Sequence, residues 1–525
     1  MSRSVSHKLQ RPGLHKAERV LWWFTFVWGG SIIWLAHRPP MVDLAAHAGQ
    51  IELLRGLIAG GSPWKDVFFV NPLTPYLLGY FIATLFSFAM PVLVAVKLTI
   101  SVAYFAFVLS AVKVSRYFRS SHYLDWTILP VFFGLPFVWG YLPFLTAAPV
   151  GLFFLISIDY YICKPTKYGA WWPIMIGLLL LASHGLTFAF FYLTAFAMIV
   201  VKCRKDDVRR LATALIPLFS LGGMTLIVIW IIKEREVQFG QPITSFIMFN
   251  YHWGRMHEML INSFDSYLSV INDRYYDWPL LIVACLFVVA PWWIGLKCVN
   301  CNRSVAMVPF VIVLAALTLV PTSVAGASLV SERFAIFLFP SYAWVFSTKI
   351  TANKPAWCVS SGVIILILGC YFAMGVRTVR TLHFDQESAG FSKVLDSLAP
   401  AQIVLYLPFD RASVANSHEY TYEHFASWYE AELHGLVEPN WAAYSQNMVV
   451  RFRDIHRTTG SIDRDPSSFN WDTHLGDQYR YFIIRDKAEK DASSYFKGAL
   501  CLPKRLLSTG EWKVYERGVC DGTEE

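Results

Sequence analysis

Apolar residues in this chain come in blocks separated by short polar loops. Blocks of bilayer-spanning character run near Val20 to Ala36, Val92 to Val112, Leu124 to Trp139, Thr146 to Cys163, Ala170 to Ser183, Leu186 to Val201, Leu211 to Ile232, Trp278 to Leu296, Val305 to Val320, Phe334 to Ser347 and Ala356 to Met374. The pattern predicts a polytopic α-helical membrane protein with about eleven transmembrane helices. Basic clusters at Lys164 to Lys167, Lys202 to Arg210, Lys297 to Arg303 and Lys349 to Lys354 then share one side, the cytoplasmic one. The polar start MSRSVSHKLQRPGLHKAER lies there too, and with no small-residue cleavage site after it the first block is expected to stay as a signal-anchor. Pro72 to Met90 is also apolar, but Pro72, Pro75 and Pro91 break it. If it crossed, KVSRYFR at Lys113 to Arg119 would face outward, so it is expected to lie at the interface or to re-enter. The odd count leaves the N-terminus inside and the C-terminus outside.

The first outer loop, 37–91, carries the most information. In PPMVDLAAHAGQIELLRGLIAGGSPWKDVFFVNPLTPYL, Leu44, Ile51, Leu54 and Ile58 recur at helical spacing, predicting an amphipathic helix along the membrane surface. Asp43 stands at its start and His47 one turn on. Two readings are open for Asp43: an N-cap accepting the orphan amides of the first turn, or a general base facing a cavity between membrane and water. Glu52, Asn71 and Tyr76 are either structural or polar lining of that cavity. Later outer segments hold His184, in the turn LLLLASHGLTF, then His252 and His257 in the long loop from Lys233 to Asp277, then Glu332 and Arg333 at the end of PTSVAGASLVSERF. His184 is a headgroup-level turn residue or a functional one. Arg333 is either a snorkelling arginine paired with Glu332 or a phosphate contact, and His252 and His257 belong to a solvated loop or line the acceptor side.

After Met374 charged residues become frequent, dividing the chain into a membrane module, 1–376, and a soluble extracytoplasmic domain, 377–525. IVLYLPF, RYFIIRD and EWKVYER read as strands and HEYTYEHFASWYEAEL as a helix, which predicts a small α/β domain for acceptor recognition, for covering the cavity, or for packing alone. With 55% hydrophobic and only 16% charged residues, an ordinary soluble enzyme is excluded. The net charge of +8 sits in loops between apolar blocks, so no nucleic-acid partner is expected. Of nine cysteines, only Cys501 and Cys520 fall in the outer domain, where a disulfide is plausible. Cys298 and Cys301 form a CxxC without a second ligand pair nearby, which reads as two free thiols rather than a zinc site.

An inward N-terminus, a first outer loop opening on an acidic residue, a Pro-containing segment, many spans and an outer C-terminal domain together resemble the GT-C superfamily. Its members are integral-membrane glycosyltransferases that use polyprenyl-phosphate-linked sugars. PPMVDLAAHAGQIELLRG is similar to the acidic first-loop motif of the aminoarabinose transferases and protein O-mannosyltransferases, and NPLTPYLLGY to their Pro-rich motif. The resemblance implies a GT-C-like fold and a role for Asp43 at the acceptor. It further implies His184 of LASHGLTF and Arg333 of SERFAIFLFP as contacts for the donor phosphate. The partners it implies are a polyprenyl-phosphate sugar donor, membrane lipids, and a glycan, lipid or protein acceptor. Many relatives carry a second acidic residue in a later outer loop, whereas GYLPFLTAAPVG, Gly140 to Gly151, has none, so no metal and no other cofactor is predicted.

The expected function is an inverting transfer of sugar on the extracytoplasmic face. The expected location is a bacterial inner membrane, with the C-terminal domain in the periplasm. A transporter or lipid flippase would instead show ionisable residues at mid-membrane and paired broken helices. A non-catalytic scaffold would use the outer domain to bind a partner.

Overall fold

The computed structural model describes residues 12–203, 208–238, 255–265, 277–298, 305–323, 328–351, 354–444, 448–453 and 465–518. Its N-terminal part is a bundle with two ends, one of which holds Asp43. Helix α1 (Pro12–Ile32) runs to that end and is followed there by α2 (Leu44–Ala59), strand β1 (Phe68–Val70) and α3 (Leu77–Ser87). Helix α4 (Val92–Tyr117) starts beside them, its Lys97 Nζ donating to the carbonyls of Ala36 and His37 at 2.7 and 3.1 Å. The next pass is broken into a 3-10 turn, His122–Thr127, and two short helices, α5 (Ile128–Val131) and α6 (Leu135–Val138). Then α7 (Leu142–Cys163), α8 (Trp171–Ser183), α9 (Gly185–Cys203) and α10 (Val208–Gln238) alternate in direction. Short α11 (Arg255–Ile261) sits at the Asp43 end, and α12 (Asp277–Ile294) leads away to β2 (Leu296–Cys298). Helix α13 (Val308–Leu319) returns, and a second broken pass, the 3-10 turn Glu332–Phe337 with α14 (Leu338–Trp344), leads to β3 (Phe346–Ile350). Finally α15 (Ala356–Ser388) comes back to the Asp43 end.

By length and composition, α4, α7, α9, α10 and α15 are each able to cross a membrane, and shorter apolar helices fill the bundle between them. Polar contacts fix the end opposite Asp43. Tyr117 and Lys202 both bond Asp159, at 2.8 Å each, which joins the ends of α4, α7 and α9, and Trp344 Nε1 donates to Ser115 Oγ at 3.0 Å. Helix α3 does not pass through the bundle: its 11 residues begin beside His184 and end at the turn into α4, both at the Asp43 end. Both breaks in the pass 122–138 have a local cause. Pro130 and Pro136 cannot donate to a helix ladder, and at Gly134 a Cβ would meet the Asn262 carbonyl at 2.5 Å. The amide of Leu135 takes that same carbonyl at 2.9 Å, so the broken backbone stays satisfied inside the protein.

The composition change at 376 falls inside α15, which continues as helix to Ser388. Beyond it, α16 (Gly390–Asp396) precedes a mixed five-stranded sheet of order β5-β4-β7-β9-β8. Its central β4 (Ile403–Pro408) is parallel to β5 (Leu436–Glu438) and β7 (Tyr481–Arg485), while β9 (Trp512–Glu516) runs antiparallel to β7 and β8 (Lys504–Thr509). Helix α17 (Trp428–Leu433) connects β4 to β5, and β6 (Val450–Phe452) pairs with β1 of the first loop. HEYTYEHFASWYEAEL is helical only from Phe425 on; its first half is turns, one of which Asn416 and His418 hold through side-chain bonds to Thr421 Oγ1 and the Tyr420 amide. Strand β4 alternates its side chains: Val404 and Tyr406 join the cluster continuous with the bundle, Leu405 and Leu407 a second cluster on the far face.

The expected surface position of α2 does not hold. Every residue from Leu44 to Leu54 is buried, because the sheet domain's α17 packs on the side away from the bundle. Small residues permit this: a Cβ on Gly49 would lie 2.0 Å from Glu430 Oε2. On the bundle side, the strap before α2 is tied down by Val42 N to Val138 O and Asp43 N to Trp139 O, both 3.0 Å. Gly140, at φ 77, lets the strap approach, since a Cβ there would stand 2.9 Å from the Leu44 amide. Gly140→Ala is therefore expected to cost about 1–3 kcal/mol through its left-handed backbone and this contact. Gly223→Ala, inside α10 with nothing within 4 Å of a new Cβ, is expected to stabilise by about 0.5–1 kcal/mol. Thermal melting of the purified variants reads both signs.

Candidate active site

Asp43 is the residue before α2, but its side chain makes no capping hydrogen bond. The capping reading therefore fails: it is the backbone carbonyl, not the carboxyl, that accepts from the first turn, taking the His47 amide at 3.0 Å. Its side chain is 14% exposed, and His424 Nε2, from the sheet domain, lies 3.8 Å from Oδ1. Burial pushes the carboxyl up to about 8; the Arg333 guanidinium pulls the other way and Glu423 adds to the rise. His424 is held down to about 4 by burial, so the pair carries little charge near neutrality.

Arg333 is brought to the same space by the second broken pass. Its Nε donates to the Leu329 carbonyl at 3.2 Å and its Nη2 to the Ser328 carbonyl at 2.8 Å, and its guanidinium lies 3.8 Å over the Tyr141 ring. Leu329 takes a left-handed conformation, φ 53, to present that carbonyl. The pairing with Glu332 anticipated for a snorkelling arginine is not formed. Glu332 instead accepts from Thr322 and Ser331 hydroxyls at 2.8 and 2.9 Å. Glu332 thus does not occupy Arg333, whose field acts on the protons of Asp43, Tyr76 and Tyr141 alike.

His184 joins them from the turn between α8 and α9. Its Nδ1 accepts from the Thr187 amide at 3.1 Å, as an N-cap would, which leaves the ring proton on Nε2. Tyr76 stacks on the ring at 5.3 Å and 15°, and Phe144 meets it edge-on at 5.4 Å. Burial, with Arg333 adding to it, holds this imidazole well below its ordinary range, so it stays a neutral N–H donor. The structure thus brings Asp43, Tyr76, His184 and Arg333 to one end of the bundle around Tyr141.

The other residues singled out in the sequence lie elsewhere. His47 is buried in α2, its Nδ1 2.7 Å from the Tyr80 hydroxyl, and burial lowers it to about 3. Asn71 Nδ2 donates to the Met448 carbonyl at 3.1 Å and so helps hold the β1–β6 ribbon. Glu52 faces a different cavity, where Arg55 and His434 reach it at 2.7 Å. His252 lies outside the described residues; His257 lies in α11, but its side chain is outside the description. Cys501 is disulfide-bonded, and Cys520 is outside the described residues. Cys298 is an exposed free thiol, with Cys301 again outside the description. Among the described residues, no three His, Cys, Asp or Glu side chains converge as a metal's donor set. Sequence reasoning missed Tyr141, Glu423 and His424. For Tyr141 the signal was present, a tyrosine next to a glycine in a Pro-flanked outer turn. For the other two nothing local marks a contact with position 43.

No protein-family model and no curated protein matches the sequence. Among solved structures, the crystal structure of ArnT from Cupriavidus metallidurans bound to undecaprenyl phosphate aligns with a TM-score of 0.53 at 10% identity. The alignment covers 95% of this chain and 98% of that one. At that identity the likeness is one of fold, and nearly the whole chain is built on the ArnT architecture, the GT-C fold that its outer-loop motifs resemble.

Proposed function

We propose that this protein is an inverting glycosyltransferase of the extracytoplasmic membrane face, taking its sugar from a polyprenyl-phosphate donor. The observation that carries the reading is the convergence of Asp43, His184 and Arg333 around Tyr141, in a chain that shares the fold of a protein solved with undecaprenyl phosphate. The sidedness rests on charge. Lys164, Lys167, Lys202, Lys297, Lys349 and Lys354 flank helix ends opposite Asp43, which favours that opposite end as cytoplasmic. The sheet domain then lies outside.

A sugar linked through phosphate to a long lipid presents its anomeric carbon at headgroup level, where passes meet the aqueous face. The acceptor hydroxyl gives its proton to the Asp43 carboxylate as its oxygen attacks that carbon. The bond from carbon to phosphate oxygen breaks on the opposite face, its electron pair leaving with the lipid phosphate, and the anomeric centre inverts. Arg333 and the Nε2–H of His184 take up the charge on the departing phosphate. Arg333 stacked on Tyr141 is suited to this, since the ring fixes the guanidinium without neutralising it. The acceptor is a hydroxyl of a lipid, glycan or protein.

The test is transfer of label from radiolabelled polyprenyl-phosphate sugars to membrane lipid and glycan fractions by purified protein in nanodiscs. Asp43→Asn is expected to lower turnover by about 10²–10⁴-fold with the fold intact, and Arg333→Ala by about 10²–10³-fold with weakened donor binding. Full turnover in folded Asp43→Asn, or donor binding that ignores Arg333→Ala, removes the proposal. Since only the ionised Asp43 accepts a proton, kcat/KM is expected to rise with pH and level off above about 8.

Stability should move the opposite way. A carboxyl raised from 3.8 to about 8 binds its proton more tightly in the folded state, so that contribution is complete below about pH 4 and is lost as pH rises toward 8. The melting temperature of Asp43→Asn is therefore expected to gain on that of the wild type between pH 5 and 8, in melts read on matched buffers.

A further inference from the structure

Away from Asp43, a cavity of about 540 Å³ opens where the second half of α2, the turn from α3 into α4 and the sheet domain meet. Glu52 and Arg55 line it from α2, Phe88 from the turn, and His434 from the end of α17, with Trp64 at the loop beyond α2. Along the helix axis these α2 residues lie roughly 14 and 18 Å past Asp43 at 1.5 Å per residue, so this is a separate site. We propose that it binds a phosphate-bearing membrane lipid, with Arg55 and His434 on the phosphate and the chains leaving over the outer face of α3.

Three features support that occupant. Arg55 is held in place but not used up: Nη2 bonds Glu52 at 2.7 Å and Nη1 the Ser87 carbonyl at 3.1 Å, leaving Nε–H and the remaining fork donors for an anion. His434 is half exposed and adopts a left-handed conformation, φ 56, where glycine is the usual residue. Its Nδ1 lies 2.7 Å from Glu52 and its carbonyl accepts from Trp64 Nε1 at 2.8 Å, so the strained backbone aims an imidazole at the same carboxylate that holds Arg55. Finally, Phe81 and Leu85 on α3 and Phe88 in the turn just past its end stand about one turn apart and are all more than half exposed, as is Ile58 on α2. Phe88 belongs both to that apolar face and to the cavity wall, so the mouth opens toward lipid. A charged head beside an apolar exit suits an amphiphile, and the volume is within the usual range for ligand pockets. A lipid seated here touches α2, the end of α3 and the sheet domain together and so strengthens their junction.

Delipidated full-length protein is tested by native mass spectrometry and thermal melting with phosphatidylglycerol, diacylglycerol or inorganic phosphate added. Phosphatidylglycerol is expected to be retained and to raise the melting temperature by roughly 2–4 °C, with neither diacylglycerol nor inorganic phosphate doing so. Arg55→Ala and Gly61→Phe are each expected to abolish the retention and the shift. The second variant fills the cavity from a position whose Cβ meets nothing within 4 Å, so it tests the site even if loss of Arg55 unfolds the chain. Asp43→Asn is expected to keep both. Equal shifts from diacylglycerol or inorganic phosphate, or wild-type retention in Gly61→Phe, overturn the proposal.

Discussion

A carboxyl and a guanidinium, both withdrawn from water and near enough to feel each other's field, set the terms for the structure around them. Taking either charge out of water costs several kcal/mol, and the upward shift of Asp43 shows that burial outweighs the pull of Arg333. A carboxyl in that position would turn toward solvent if its backbone could move. It cannot, because the carbonyls of Val138 and Trp139 hold it on one side and the first turn of α2 holds it on the other. Arg333 is restrained just as firmly by the carbonyls of Ser328 and Leu329. Tyr141 between them gives the cation an aromatic face and leaves its charge uncompensated.

Irregular passes make that meeting possible. A straight helix keeps one axis from end to end, whereas the pass 122–138 changes direction at Pro130 and Gly134 and delivers Trp139, Gly140 and Tyr141 against the strap before α2. The pass 332–344 does the same for Arg333, beginning as a 3-10 turn before α14. Such backbone is tolerated at bundle depth only where other protein surrounds it, and both passes are buried nearly throughout.

These arrangements differ in how visible they are in the sequence. Apolar blocks between basic loops mark the passes because the bilayer imposes length and sidedness directly, and His184 and Arg333 stand out as polar residues bordering such blocks. Asp43 is visible only as a choice between two roles, because an N-cap and a buried carboxyl both place Asp before a helix. The burial of α2 is hidden for another reason: Ala45, Ala46, Ala48 and Gly49 form a face as compatible with water as with a packed helix, and only the presence of α17 decides between them. The approach of His424 to Asp43 depends on how strand β4 and the turns after it are set against the bundle, and no local pattern records that.

The same packing bears on what the sheet domain does. It reaches the first loop through the β1–β6 ribbon, through α17 against α2, and through Asn416 Nδ2 on the Pro40 carbonyl at 3.2 Å, three residues before Asp43. One hydrophobic cluster runs from the bundle into the inner face of the sheet without interruption. Swinging the domain away would expose that cluster to water and remove His424 from beside the Asp43 carboxyl, so the motion opposes the hydrophobic effect. A lid must open at little cost, and its contacts are correspondingly few. This domain has the contacts of a wall: it closes one side of Asp43, while Tyr76, His184 and Arg333 stand on the bundle side.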